Sequence, residues 1–347
     1  MNGRALGLGT TATCRVPYPE LLNTLVRALL RAGFETERAA RCAQLFAESS
    51  RDGVYSHGLN RFPLFLSMTR SGVIDIRAEP QLVSSSGLLE RWDGGMGPGN
   101  LNAYHCMDRA LKLADLHGVG CAALANTNHW MGGGTYGWQA ADAGFIGICW
   151  TNTCPNLPPW GAKEPRIGNN PLVIAVPRVD GHIVLDMAMS QFSYGALAAH
   201  RMRRELLPVD GGYDLDGRLT RIPEDIEVSH RPLPIGYWKG SGLALMLDMV
   251  AGILSGGRTT YQVAAEPEKE TGLSQVFIAF AVQRLGDGDS TRELSDQVIR
   301  HFQSPSEGDG GQVRYPGERV LQTRRENLAK GVPVEPVVWQ QVQGLAA

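Results

Sequence analysis

His57 and Arg61 stand four residues apart, with Ser56 beside the histidine, in the run Glu48-Ser49-Ser50-Arg51-Asp52-Gly53-Val54-Tyr55-Ser56-His57-Gly58-Leu59-Asn60-Arg61-Phe62. These are the side chains that reduction of a 2-keto acid requires. Histidine has the unperturbed pKa closest to neutrality, so it can hand a proton to a carbonyl oxygen as hydride reaches the carbon. A guanidinium offers a rigid fork of donors that matches a carboxylate in two-point contact. Each residue also has a plainer role open to it. His57 can be a packed histidine without chemistry, Ser56 a helix N-cap, and Arg61 the partner of an acid such as Asp52.

Two further candidates lie downstream. His129, in Asn126-Thr127-Asn128-His129-Trp130, can be a buried histidine bonded to backbone. Asp186, in Leu185-Asp186-Met187-Ala188, follows an apolar strand pattern. It is either a helix cap or a carboxylate that orients His57 and raises its basicity, as in acid–histidine pairs elsewhere. A hydrolase with Ser56 as nucleophile and His57 as base is disfavoured, because adjacent side chains diverge by about 100° on a helix and oppose each other on a strand. Nor does Ser56 lie in a Gly-x-Ser-x-Gly elbow. A noncatalytic sugar-acid binder would keep Arg61 but would need no dinucleotide site. The eight histidines share no metal-ligand spacing, so no metal is expected.

Gly132-Gly133-Gly134-Thr135-Tyr136-Gly137 satisfies the G-x-G-x-x-G pattern. Six residues separate it from the preceding strand, however, and about twenty residues on the chain reads Trp150-Thr151-Asn152-Thr153, without the acid that would hold a ribose. A Rossmann site is therefore not expected there. Trp238-Lys239-Gly240-Ser241-Gly242, opening an apolar helix, is the better phosphate cradle: free backbone N–H groups, the positive helix end and a lysine. Its plain alternative is a glycine-rich turn packed for steric reasons.

The elements that must position these groups follow from periodicity. Leu21, Leu22, Leu25, Leu29 and Leu30, then Ala39, Cys42, Ala43 and Phe46, recur at helical spacing around a break at Gly33. The second helix leads into the Ser56-His57 block, which is expected in a loop or at a helix start. From Gly118 onward, apolar strands (120–124, 145–150, 172–176) alternate with a helix at 136–143, an α/β pattern. Residues 206–234 are polar and turn-rich, an extended loop with a hairpin. Residues 243–254, apolar apart from Asp248, predict a buried helix. The last forty-odd residues are expected to wrap over the body or over a partner subunit.

At 347 residues and 43% apolar composition, the chain can bury a full core. The 33 basic and 35 acidic residues nearly cancel, which leaves no field to gather nucleic acid or an anionic membrane, and no stretch approaches the roughly 20 apolar residues of a membrane helix. Six scattered cysteines without Cys-x-x-Cys fit reduced thiols and a cytoplasmic setting.

The His57 block, Asn126 to Trp130, Pro158-Pro159-Trp160-Gly161 through Arg166-Ile167-Gly168-Asn169-Asn170-Pro171, and Gly236-Tyr237-Trp238-Lys239-Gly240-Ser241-Gly242 together resemble the malate/L-lactate dehydrogenase family that does not use the Rossmann fold. The resemblance runs from about Pro19 to the C-terminus. It implies a mixed-sheet, three-layer α/β fold with helical N- and C-terminal parts, arranged as one module over 16–347. The expected lobes are an N-terminal helical and substrate part (16–117), a central nucleotide-binding part (118–290) and a C-terminal wrap (291–347), preceded by a disordered leader or an alternative start at 1–15. It further implies His57 as proton donor, with Ser56, Arg61 and His129 at the substrate. A nicotinamide nucleotide would lie on His182, Ile183, Val184, Leu185, Asp186, Met187 and Ala188, on Trp238 and Lys239, and on Gly317, Glu318 and Arg319. NADH is the implied cofactor, with NADPH left open because Arg319 would suit a 2′-phosphate. A homodimer and a small keto-acid substrate are implied too. The wording Gly53-Val54-Tyr55-Ser56-His57-Gly58, with Tyr136-Gly137-Trp138-Gln139 and Phe192-Ser193-Tyr194-Gly195, is most similar to the branch that reduces a diketo sugar acid. Siblings act on malate, L-lactate, ureidoglycolate, sulfolactate or cyclic imino acids.

Overall fold

The computed structural model describes residues 14–264, 269–284, 286, 288–305 and 313–347. The chain enters as a short strand, β1 (Cys14–Val16), followed by helices α1 (Tyr18–Arg31) and α2 (Thr36–Arg51). Leu21, Leu25 and Leu29 of α1 and the Ala39, Cys42, Ala43 and Phe46 face of α2 are fully buried in one apolar cluster, while Leu22 packs at its edge and Leu30 faces outward. The turn between the helices passes through Gly33 at φ 92°, a left-handed conformation that costs glycine little. The leader was expected to run to residue 15, but Cys14 and Arg15 belong to β1. Strand pairing with Val332–Val334, and a hydrogen bond from Arg15 Nη1 to Gly331 O (2.7 Å), hold them in place. Residues 1–13 lie outside the described residues.

After α3 (Phe62–Arg70), the chain builds one seven-stranded sheet from β2 (Gln81–Ser86), β3 (Leu89–Asp93), β4 (Val119–Asn128), β5 (Phe145–Thr151), β6 (Leu172–Val176), β7 (Ile183–Met187) and, much later, β10 (Thr271–Ala281). Its order is β2-β3-β4-β10-β5-β6-β7. Only β3 and β4 run parallel; every other neighbour is antiparallel. A doubly wound nucleotide fold needs a parallel sheet, so the Rossmann topology is absent. Helices α4 (Gly99–His117) and α5 (Gly134–Asp142) cover one face of the sheet. Between β7 and α8 (Trp238–Ser255) come α6 (Tyr194–Arg203), the hairpin β8 (Gly212–Tyr213) and β9 (Leu219–Thr220), and α7 (Pro223–Ser229). Helix α8 covers the opposite face of the sheet and completes three layers. Among the described residues no helix is long and apolar enough to cross a membrane.

Three expectations need correction. Strands β2 and β3 and helix α4 precede position 118 yet belong to the central layers, so the expected boundary at 117/118 cuts a packed unit. The segment 206–234 holds the expected hairpin but also α7; Pro223 in its first turn, with Glu224 and Asp225, is a helix-start signal. Helix α8 is not buried all round. Gly240, Ala244, Leu247, Asp248, Ala251, Gly252 and Ser255 form the inward stripe, while Leu245, Met246, Met249 and Ile253 face outward, Ile253 at 65% exposure. A uniformly apolar helix gives no periodic signal to say which face is covered.

The C-terminal part contains α9 (Gly288–Phe302), α10 (Glu318–Lys330), β11 (Val332–Val334) and α11 (Pro336–Ala346). Within it, β11 pairs with β1, and Trp339, Val342 and Ala346 of α11 enter the α1/α2 cluster. Its anchor is Asp52, whose carboxylate accepts from Arg324 Nε (2.8 Å) and Nη2 (2.7 Å) and from Arg51 Nε (2.7 Å). Arg324 also lies over the Trp138 ring at 4.4 Å. Asp52→Ala would leave two guanidinium groups facing each other. We expect it to lower the unfolding free energy by about 2 kcal/mol, below the ~3–5 kcal/mol of a fully buried pair because Arg324 retains 19% side-chain exposure. A urea midpoint unchanged from the parent protein would reject this anchor.

Candidate active site

The His57 turn is made by the end of α2. Gly53, at φ 86°, donates to Ser50 O (3.1 Å) and Val54 donates to Ser49 O (2.8 Å), the paired bonds of a Schellman stop. Two short 3-10 turns follow, Tyr55–His57 and Leu59–Arg61. Gly58 joins them where the chain folds back on α2: a Cβ there would sit 2.2 Å from Ser50 Oγ, the atom that accepts from the Leu59 N–H at 2.8 Å. His57 and Arg61 are thereby presented from one tightly braced turn, as their loop placement predicted.

The other side of the site is assembled by strand register. β4 and β10 are antiparallel with Asn128 opposite Thr271, so His129, just after β4, and Glu270, just before β10, leave the sheet at the same end. Thr151 of β5 lies opposite Gln275 of β10, and the chain then runs through Asn152 and Thr153 to Cys154 at that end. There Arg61 Nη2 lies 3.8 Å from Glu270 Oε2. The expected alternative pairing of Arg61 with Asp52 does not form, since Asp52 is taken by Arg51 and Arg324.

His57 and His129 stack, with ring centroids 5.4 Å apart and planes 27° off parallel. His57 Nδ1 is 3.0 Å from Ser56 Oγ. His129 Nδ1 accepts from the Met131 N–H at 3.0 Å, so a neutral His129 carries its proton on Nε2. Both rings are partly open to water yet enclosed by protein, and both are disfavoured as cations. Burial, then the Arg61 charge, lowers His57 to about 4. Burial, Arg61 and His57 hold His129 well below the ordinary histidine range. Ser56 is exposed and caps no helix; its hydroxyl serves the histidine instead.

Asp186 does not form the expected pair with His57. Among the described residues no hydrogen bond joins them. Its Oδ2 accepts from the Gly134 N–H at 2.7 Å, at the positive N-terminus of α5, which is the capping alternative. Although Asp186 keeps solvent-exposed surface, desolvation by the surrounding protein raises its pKa, and the Gly134 bond partly offsets that. The G-x-G-x-x-G glycines serve this packing rather than a phosphate: a Cβ at Gly134 would lie 3.0 Å from Asp186 Oδ2, and one at Gly137 2.7 Å from Val173 Cγ1.

The segments expected to hold a nucleotide converge. Pro316 O accepts from the Val184 N–H at 3.0 Å, and Gly317, at φ 96°, is so close to β7 that a Cβ would sit 3.0 Å from Val184 N. This brings Gly317 against His182 and Val184, with Glu318 and Arg319 following it in the chain. Beyond Leu185, Met187 and Ala188, Ile235 N donates to Met189 O (2.8 Å) and Pro234 bridges Ser190, which sets Trp238 and Lys239 past the same strand end. The His182 ring itself is committed to the hairpin, accepting from Arg178 N (3.0 Å) and donating to Asp142 (2.9 Å). The free-amide cradle is not there: the N–H groups of Lys239, Gly240 and Ser241 already donate to Gly236, Ile235 and Tyr237. Gly240 is a packing glycine whose Cβ would lie 2.3 Å from Ile235 O. What remains suits a dinucleotide through side chains. Lys239 and Arg319 are exposed cations without an ion-pair partner among the described residues, fit for a pyrophosphate. Glu318 Oε2 is buried without a hydrogen-bond partner, an acceptor for a ribose hydroxyl.

Glu270 and Cys154 were not foreseen. Glu270 sits in a charged stretch, Lys269-Glu270-Thr271, that reads as a solvated turn, so only strand register reveals it.

A profile described as malate/L-lactate dehydrogenase matches residues 16–343. The 2,3-diketo-L-gulonate reductase of Citrobacter koseri is 46% identical over 333 residues, covering 95% of this chain and all of that protein. The protein of that name from Klebsiella pneumoniae is 47% identical with the same coverage. Among solved structures, the sulfolactate dehydrogenase from Methanocaldococcus jannaschii superimposes with a TM-score of 0.89 at 26% identity, covering 96% of each chain.

Proposed function

The chain belongs to the malate/L-lactate dehydrogenase family, a family of nicotinamide-dependent oxidoreductases, and on that footing we propose that it reduces 2,3-diketo-L-gulonate to 3-dehydro-L-gulonate with NADH. The full-length likeness to the Citrobacter and Klebsiella reductases supports the substrate. The observation that carries the reaction is the stacked His57–His129 pair beside Arg61, which sets a proton donor and a second N–H donor next to a carboxylate receptor.

A reduced nicotinamide, bound by the segments around Gly317 and Lys239, would supply the hydride for the C2 carbonyl carbon. Arg61 binds the C1 carboxylate with the guanidinium donors that Glu270 leaves open. As an imidazolium, His57 donates Nδ1–H to Ser56 Oγ and keeps Nε2–H for the C2 oxygen, the site of developing negative charge. His129, with Nδ1 engaged by Met131, offers its own Nε2–H to the same substrate. Asp186 holds the start of α5 against β7, where the nucleotide segments meet.

NADH follows from the family resemblance, and Arg319, an exposed cation, is the residue that would admit NADPH. A homodimer is the expected assembly, because the outward face of α8 (Leu245, Met246, Met249, Ile253) is the apolar surface a second subunit would cover.

The test follows absorbance of the reduced nicotinamide with NADH or NADPH and a panel of 2,3-diketo-L-gulonate, pyruvate, oxaloacetate and a cyclic imino acid. Turnover of diketogulonate at the highest kcat/KM is the expected result. Preference for another acid would move the substrate within the family. No turnover and no nucleotide binding would leave only a sugar-acid binding protein.

A further inference from the structure

We propose that Glu270 is a positioning residue for this reaction, holding the Arg61 guanidinium in the orientation that receives the substrate carboxylate. The inference rests on the reading of Arg61 given above.

Glu270 is 4% exposed, in a position where an unpaired carboxylate would be costly. It is fixed from behind: Oε1 accepts from the Cys154 N–H at 2.9 Å. The other oxygen, Oε2, faces Arg61 Nη2 at 3.8 Å. That contact uses one corner of the guanidinium. Arg61 makes no closer polar contact among the described residues and keeps 24% side-chain exposure, so its remaining donors stay open to a ligand. An arginine side chain carries much rotamer entropy, which an unsupported arginine must lose when it clamps a ligand. Glu270 removes part of that loss beforehand, because it is itself immobilised by the strand ends. The register that sets Glu270 opposite the His129 end of β4 also fixes where Arg61 is drawn: toward the two stacked imidazoles rather than into solvent.

A competing account is that Glu270 occupies Arg61 at the substrate's expense. The two accounts predict opposite signs. If Glu270 orients Arg61, removing its charge loosens the receptor and raises KM. If it competes, removing its charge lowers KM.

The experiment compares Glu270→Gln and Glu270→Asp with the parent protein, alone and in an Arg61→Lys background, by steady-state kinetics on diketogulonate and by NADH titration. The glutamine keeps volume and an acceptor for Cys154. Positioning predicts that Glu270→Gln raises KM about tenfold with kcat within about twofold and NADH affinity unchanged. Glu270→Asp, which keeps the charge but shortens its reach, should fall between. In the Arg61→Lys background the same substitution should add little, because lysine has no fork to orient. A KM that falls or does not move, or an effect that adds in full to that of Arg61→Lys, overturns the proposal. If the glutamine variant unfolds, Glu270→Asp carries the same sign test. Arg61→Ala separates the two readings: an unchanged KM there rejects Arg61 as carboxylate receptor, whereas a raised KM with an inert Glu270→Gln rejects only Glu270.

Discussion

Replacing His57 by alanine is expected to lower kcat for keto-acid reduction by about a thousandfold, while NADH binds as before. Positioned proton transfer contributes roughly 10²–10⁴ in rate, and His57 is the imidazole whose second nitrogen is left for that task. Its Nδ1 is engaged by the Ser56 hydroxyl, and its backbone is braced by the Gly58 turn on α2. His129 is less able to substitute, since its Nδ1 is held as an acceptor by Met131 and protonation there would break that bond. Steady-state kinetics of His57→Ala beside His129→Ala decide it. A thousandfold loss in the first and a smaller one in the second fits the assignment; the reverse order would move the donor to His129.

The pH dependence of the same enzyme carries the sign of the argument. His57 sits at about 4 in the free protein, because burial and the Arg61 charge both oppose the imidazolium. Reduction needs the protonated form, so kcat/KM, which reports the free enzyme, should fall as pH rises above that value. When the keto acid binds, its carboxylate offsets Arg61, and one of the two causes of the low pKa is removed. The limb of the kcat profile should therefore lie at higher pH than the limb of kcat/KM. Coincident limbs would mean that the carboxylate does not reach Arg61.

What the sequence showed and what it hid divide along physical lines. Local signals were sufficient for α1, α2 and the His57 turn, because leucine spacing, Gly33 and Gly53 act within a few residues of where they stand. The non-Rossmann topology was also legible, through the misplaced glycines and the missing acid after Trp150. Three features depended on the third dimension. Asp186 was read as a partner for His57 or as a cap, and only the packing of β7 on α5 decides for Gly134. The Trp238 turn looked like an open amide cradle, but Tyr237, at φ 60°, turns the chain back so that Gly236 and Ile235 carbonyls use up the donors. Glu270 lies 209 positions after Arg61 in the chain and becomes its neighbour only through the register of β10 against β4.

Arg61→Ala should raise KM for the keto acid about a hundredfold, the second largest effect, and its side effects identify the cause. Losing one partner of a desolvated charge pair costs roughly 2–5 kcal/mol, and a hundredfold corresponds to the lower half of that range because Arg61 keeps 24% side-chain exposure. Removing the guanidinium also removes a charge that disfavours both imidazoliums, so the kcat/KM limb of the variant should shift to higher pH. Glu270 is left buried without its cation, which should lower thermal stability, and Glu270→Gln in the same chain should restore part of that loss. Arg61→Lys separates charge from shape. It preserves a cation but not the planar fork, so the pH limb should stay near that of the parent while KM still rises, by about tenfold. A lysine variant with the parent KM would show that charge alone receives the carboxylate, and the argument for an oriented guanidinium would fail with it.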